Sequence, residues 1–184
     1  MNISIIGAGN MGGAIACGLI RAGAIRPAEL CVADVHDTAL QPLRQQGIRT
    51  FAHGAEAVAE ADIVIVAVKP WIAKEVLHKI RPALPPKAML VSIAAGITLA
   101  QLQGELGGNT ASFRVIPNTA IAVGQSMTFI ASDSATHEQE QSVLALFAAV
   151  GQAMLIPEAL MAAATALSSC GIAYAMRYLS ANMR

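Results

Sequence analysis

Cysteine is scarce in this chain and never paired. Cys17, Cys31 and Cys170 lie far apart and form no C-x-x-C motif. That excludes a disulfide framework and a cysteine-based zinc site, and it fits free, mostly buried thiols in a reducing, cytoplasmic setting. Charge is scarce as well: charged residues make up 13% of the chain, and twelve basic side chains cancel twelve acidic ones. No basic cluster stands out, so nucleic acid is not an expected partner. His36, His53, His78 and His137 sit in polar segments without metal-ligand spacing; they read as surface or turn residues, and no metal site is expected. The amino terminus lacks a basic n-region and enters a strand at once, unlike a secretory signal. Residues 159 to 176 carry no charge at all. They are rich in Ala, Ser, Thr and Gly, so the stretch reads as a buried protein helix rather than a membrane span.

What is abundant is apolar side chain, 55% of 184 residues, enough for one full domain with a sizeable core and something extra. Apolar runs mark strands at Asn2–Ile6, Glu29–Ala33, Arg49–Phe51, Ile63–Val68, Met89–Ile93, Ser112–Ile116, Met127–Ala131 and Ala153–Ile156. Helical patterns fall between them near 11–22, 37–46, 55–61, 72–80, 98–106 and 135–149. Ile-Val-Ile-Val-Ala-Val at 63–68 is apolar on both faces, as a central parallel strand covered by helices must be. This alternation predicts an α/β domain with a doubly wound, Rossmann-type parallel sheet over residues 1–157. Beyond Pro157, residues 158–184 read as one long helix or a broken pair, apolar on nearly every face. A helix of that kind must be covered. It predicts either association through a homodimer or larger homo-oligomer, or a helical dimerisation domain that is cut short.

The most informative stretch is Ile3 to Gly12. An apolar strand runs into Gly7-Ala8-Gly9-Asn10-Met11-Gly12, and a helix pattern follows. Gly7 permits a sharp turn, Gly9 lets a ligand reach the main chain, and Gly12 lets helix and strand pack closely. The turn then offers free N–H groups to a pyrophosphate, which predicts dinucleotide binding. Asp34 ends the second strand and is a natural acceptor for a ribose 2′-hydroxyl, giving a slight lean to NADH over NADPH. The other strand ends place Ala67, Val68, Lys69 and Pro70, then Ala94, Ala95 and Gly96, then Pro117-Asn118-Thr119 around the same crevice. The small residues at 94–96 suit a flat ring lying against the backbone.

Taken together, these pieces resemble the pyrroline-5-carboxylate reductases. The matching motifs are the glycine turn, Ala67-Val68-Lys69-Pro70, Ser92-Ile93-Ala94-Ala95-Gly96-Ile97, Arg114-Val115-Ile116-Pro117-Asn118-Thr119, and Thr165-Ala166-Leu167-Ser168 with Gly171 and Ala173-Tyr174. The resemblance implies an oxidoreductase that passes hydride from NADPH or NADH to the C=N bond of a cyclic imine, giving proline. By that likeness Gly7 to Gly12 hold the pyrophosphate, Val68, Lys69 and Pro70 line the cofactor site, and Ala94, Ala95 and Gly96 flank the nicotinamide. Asn118 stands beside the reacting centre, and the helix from Thr165 to Tyr174 borders the substrate. Asn118, Ser168 and Thr165 can hydrogen-bond the ring nitrogen or carboxylate.

This chain departs from the family pattern in places. It has Ser168-Ser169-Cys170-Gly171-Ile172 where the family commonly reads Ser-Gly-Ser-Gly-Pro, Ile116 and Ala120 where Met and Pro are common, and Gly54 where an Asn often touches the cofactor. The family's later Ser-Pro-Gly-Gly-Thr stretch has no counterpart before Arg184. An NAD(P)-binding module, or an inactive truncated reductase, is therefore the alternative reading. A 3-hydroxyacid dehydrogenase is a weaker one: such enzymes use a Lys on an inter-domain helix, and Lys69, Lys74, Lys79 and Lys87 all come too early.

Overall fold

The computed structural model describes residues 1–108 and 110–183. The strands are β1 (Ile3–Ile6), β2 (Leu30–Ala33), β3 (Arg49–Phe51), β4 (Ile63–Val66), β5 (Met89–Ser92), β6 (Ser112–Ile116), β7 (Ser126–Asp133) and β8 (Gly151–Leu155). Between them lie α1 (Asn10–Arg21), α2 (Asp37–Arg44), α3 (Gly54–Val58), α4 (Pro70–Ile80), α5 (Leu99–Leu106) and α6 (His137–Ala148). They build one sheet in the order β3-β2-β1-β4-β5-β6-β7-β8, with the reversal of strand order between β1 and β4. That reversal opens a crevice at the carboxyl ends of the strands, the ordinary ligand position in such sheets.

Period-two alternation explains why both faces are covered. Ile3, Ile5, Ile63 and Ile65 face one core with Ile15 and Leu19 of α1 and Phe147 of α6. Ile6, Val64 and Val66 face the other, with Leu77 of α4 and Leu102 of α5. All four residues of β4 are fully buried, each worth about 1.5–3 kcal/mol of hydrophobic burial.

The sheet is not parallel throughout. β1 to β6 are parallel, but β7 runs antiparallel to β6, and β8 runs parallel to β7. A parallel return needs a crossover of a dozen or more residues. Residues 117–125 hold only a short 3-10 turn at Thr119–Val123 and Gly124 with φ +70°, so the chain doubles back.

Helix Glu158–Asn182 follows Pro157 as one continuous rod with a π-helical turn at Ala166–Cys170. Met161 and Ala164 anchor its first turns in the second core. Past that point it departs from the burial expected of it: none of Gly171–Asn182 is buried, and Leu167, Tyr174 and Tyr178 are 75%, 73% and 70% exposed. None of the described elements covers it. By length and composition alone the helix could cross a membrane, but only 11% of its most apolar window is buried in this chain. Of the three thiols expected to be mostly buried, Cys170 is exposed for the same reason, whereas Cys31 is buried and Cys17 half-buried. Arg184 lies outside the described residues.

Candidate active site

The glycine turn is built from contacts that forbid side chains at two positions and leave a third open. Gly7 adopts φ +106°, and a Cβ there would lie 2.6 Å from the Ala67 carbonyl oxygen. Its N–H donates to Ala33 O at 2.7 Å, tying the turn to β2. A Cβ on Gly12 would fall 1.9 Å from Gly7 O, so α1 packs directly on the turn. Gly9 differs: it has φ −64°, and a Cβ there would meet nothing within 4 Å. No protein atom requires glycine at 9; open space above the main chain does. Gly9 is also the N-cap of α1 without a side-chain cap. The first-turn N–H groups have no intrahelical acceptor and carry the positive end of the helix dipole. By contrast α5 and α6 are closed by Thr98/Gln101 and Thr136/Gln139 capping boxes. A bare helix start beside an open backbone fits a dinucleotide diphosphate.

Asp34 stands at the end of β2 with both oxygens engaged. Oδ2 accepts from Ala8 N–H at 2.7 Å, and Oδ1 accepts from His36 N–H at 2.9 Å and faces His36 Nδ1 at 3.0 Å. Burial opposes its charge, yet the N–H groups of His36 and Ala8 and the His36 ring together hold its carboxyl below the usual aspartate range. The stability it lends is thus present above the unfolded-state aspartate value and fades as pH falls through the lower folded one. Asp34 therefore braces the glycine turn.

After β4, Ala67 and Val68 are half-buried against the two cores, and Lys69 caps α4 with Pro70 in its first turn. Lys69 is exposed, its Nζ 6.0 Å from the centre of the Trp71 ring. Trp71, the only tryptophan, is 78% exposed. Gly54 opens α3, and a Cβ there would press on Ile80 at 2.9 Å, a packing reason for glycine at that position.

Beside the glycine turn lies a cleft of about 480 Å³. Met11 of α1, Ala95 and Gly96 after β5, Asn118 and Thr119 after β6, and Thr165 of the long helix all line it. Ala94 is turned inward, its N–H donating to Ser92 Oγ at 3.3 Å. Asn118 is buried with both side-chain polar atoms in use: Oδ1 accepts from Ala120 N–H at 3.1 Å, and Nδ2 donates to Ser168 O at 3.2 Å. Thr165 lines the cleft, and its Oγ1 donates to Met161 O at 2.7 Å, which leaves its lone pairs free to accept. Ser168 does not line the cleft; its hydroxyl donates to Ala164 O at 3.0 Å. Ser169 lines it instead, with its hydroxyl 3.5 Å from Pro117 O. Ile172, Met176 and Arg114 also line the cleft and were not singled out as site residues by motif reading. Arg114 carries the one ionisable side chain in that lining, a charge set between the apolar Phe113 and Val115, and that contrast is the signal that could have found it.

Comparison with known proteins bears on the family and the fold. Residues 2–96 match the family model described as NADP oxidoreductase, coenzyme F420-dependent. The chain is 38% identical over 174 residues to a pyrroline-5-carboxylate reductase of Methanosarcina acetivorans, covering 94% of this chain and 64% of that protein. It is 36% identical over 181 residues to the Escherichia coli enzyme of the same name, covering 97% and 67% respectively. In three dimensions it resembles the Plasmodium falciparum pyrroline carboxylate reductase with NADP bound, with TM-score 0.89, 28% identity, and coverage of 98% of this chain and 67% of that one. The chain thus spans just under two thirds of the length of the first of these relatives. With the glycine turn, the three strand-end motifs and the start of the helix in one fold and one order, this chain belongs to the pyrroline-5-carboxylate reductase family and carries its NAD(P)-binding domain.

Proposed function

We propose that this chain binds NAD(P)H across residues 1–157 and reduces 1-pyrroline-5-carboxylate to proline, with residues 158–184 as the first helix of a dimerisation and substrate domain. The observation that carries the reading is the cleft. It joins the diphosphate-binding turn, through Met11, to Asn118 and Thr165 in one largely apolar space. Bound NAD(P)H would supply hydride from nicotinamide C4. A protonated cyclic imine accepts that hydride at carbon while the C=N π pair returns to nitrogen, so no general acid is needed. That matches a lining with no His, Asp or Glu. The protein's task is positioning and exclusion of water. Ala95 and Gly96 offer a flat backbone surface to the ring. The Thr165 hydroxyl, with its proton on Met161 O, presents lone pairs that can accept from the iminium N–H. Asn118 holds the π-helical turn against the β6–β7 connection and so fixes that threonine's height in the cleft. Ser168 acts through its carbonyl, as the acceptor of that amide, rather than through its hydroxyl. Loss of reduced-nicotinamide absorbance on adding the cyclic imine is the test. Cofactor binding without turnover would favour the binding-module alternative.

Within this reading NADH is the preferred cofactor. An ionised Asp34 repels a 2′-phosphate. Asp34→Asn keeps an oxygen for the Ala8 N–H and removes the charge. The ratio of kcat/KM for NADH over NADPH should then fall about tenfold, equivalent to about 1.4 kcal/mol. An unchanged ratio would assign cofactor choice elsewhere.

The exposed apolar face of the long helix is the surface through which two copies associate in this reading. Introducing Leu167→Glu together with Tyr174→Glu places charge at positions 75% and 73% exposed, so the single chain loses nothing in its core. Light scattering should show the wild-type chain as a dimer or larger and the double variant as a monomer. Equal masses would remove the helix as the contact.

A further inference from the structure

One carboxylate ties together three of the segments that line the cleft. Glu158, the first residue of the long helix, accepts through a single oxygen, Oε1, from two donors. One is the Leu99 N–H at 2.8 Å, the first residue of α5; the other is Arg114 Nη1 of β6 at 3.0 Å. Both side chains are largely withdrawn from water, 15% exposed for Arg114 and 31% for Glu158. These partners lie 59 and 44 residues from Glu158 in the chain, so the junction is purely tertiary. Leu99 ends the loop that begins at Ala94, and Arg114 leads to Asn118 in the same β6-to-turn passage. Arg114 also reaches the cleft wall beside Ala95 and Thr165.

We propose that the Arg114–Glu158 pair is the positioning element of the nicotinamide half of the site: it holds the 94–97 loop, the β6 end and the long helix at one fixed spacing. The proposal rests on the reading that the nicotinamide lies against that loop. It follows from where the ties are made. The adenine half is held by the glycine turn and Asp34, which do not touch the pair. The opposite wall depends on a helix whose burial in this chain is confined to Met161 and Ala164. The Asn118–Ser168 and Ser169–Pro117 hydrogen bonds seat the helix at its π-helical turn, and the charged acceptor shared by an N–H and a guanidinium fixes its start, so together they set its direction. Breaking one partner of a shielded pair leaves the other charge unpaired, so the loss exceeds that of a surface bridge.

The test separates the two halves of the cofactor. Glu158→Gln keeps a neutral oxygen for Leu99 and discards the charge; Arg114→Lys keeps the charge with poorer geometry. ADP-ribose affinity, read from Trp71 emission, should stay within about twofold of wild type in both variants. The emission gain of NADH on binding, which reports a nicotinamide held in an apolar site, should fall by about half or more in E158Q and be partly kept in R114K. Exchange of the Leu99 amide proton should quicken in E158Q. Faster exchange with an undiminished NADH emission gain would make the pair a purely structural tie and overturn the proposal. Absence of any NADH association with the wild-type chain would defeat the functional reading and this assignment together, whereas equal emission gains defeat the assignment alone.

Discussion

Replacing Gly9 with serine should leave the fold intact and cut dinucleotide affinity about 100-fold, about 2.7 kcal/mol. Gly9 has φ −64° and ψ −172°, an extended conformation that any residue adopts, and it sits at the N-cap of α1. Serine is a preferred residue there, and its oxygen can accept from the open first turn, so thermal stability should hold or rise slightly. The same side chain would stand in the space where a Cβ now meets nothing within 4 Å. It would fill the approach to the main chain and occupy the N–H groups that a diphosphate needs. Calorimetry with NADH and a melting curve on the same sample check both halves. Unchanged affinity would mean that the ligand never comes to this turn.

Gly12→Ala should do the reverse and damage the fold first. A Cβ at 12 would lie 1.9 Å from Gly7 O, which is backbone and cannot rotate away. Relief requires α1 to lift from β1, opening contacts made by Ile15 and Leu19 in the first core. Overpacking of this kind costs about 3 kcal/mol or more, a large part of the roughly 5–15 kcal/mol that holds a domain together. The denaturation midpoint should fall accordingly, and cofactor binding with it. An unshifted midpoint would show that the helix yields more easily than its packing indicates. Taken as a pair, the two variants separate a glycine kept for a ligand from one kept for the chain.

Much of this architecture was legible before any coordinates. The eight strands and six helices between them lie where the apolar runs and helical patterns indicated, within a few residues at their ends. β4 shows why: a strand covered on both faces must be apolar at every position, and Ile-Val-Ile-Val is. The glycine turn was legible too, because strand, turn and helix are adjacent in sequence and the glycine spacing marks it. Only Gly12 answers a local contact, while Gly7 packs on the distant Ala67 and a Cβ on Gly9 would meet no protein atom within 4 Å. The direction of β7 was not read, since its strand pattern carries no sign of orientation and only the short passage 117–125 does.

Finer features of the site escaped sequence reading for a different reason. Motif reading names Ser168, whereas Ser169 lines the cleft, because one helical position turns a side chain by about 100° and the π-helical turn at Ala166–Cys170 shifts that phase. Glu158 gave no local signal at all, since its partners are 44 and 59 residues away. The composition of the long helix called for a cover, and the fold of this chain supplies one only at Met161 and Ala164.

The sequence by itself determined the strand-turn-helix start, the apolar pattern of the covered sheet and the demand for glycine at 12, because those depend on neighbours along the chain. Tertiary structure alone decided the reversal of the last two strands, the inward brace of Asp34 on Ala8 and the junction at Glu158. Each of those depends on which distant segments arrive at the same point in space, and side-chain spacing holds no record of that.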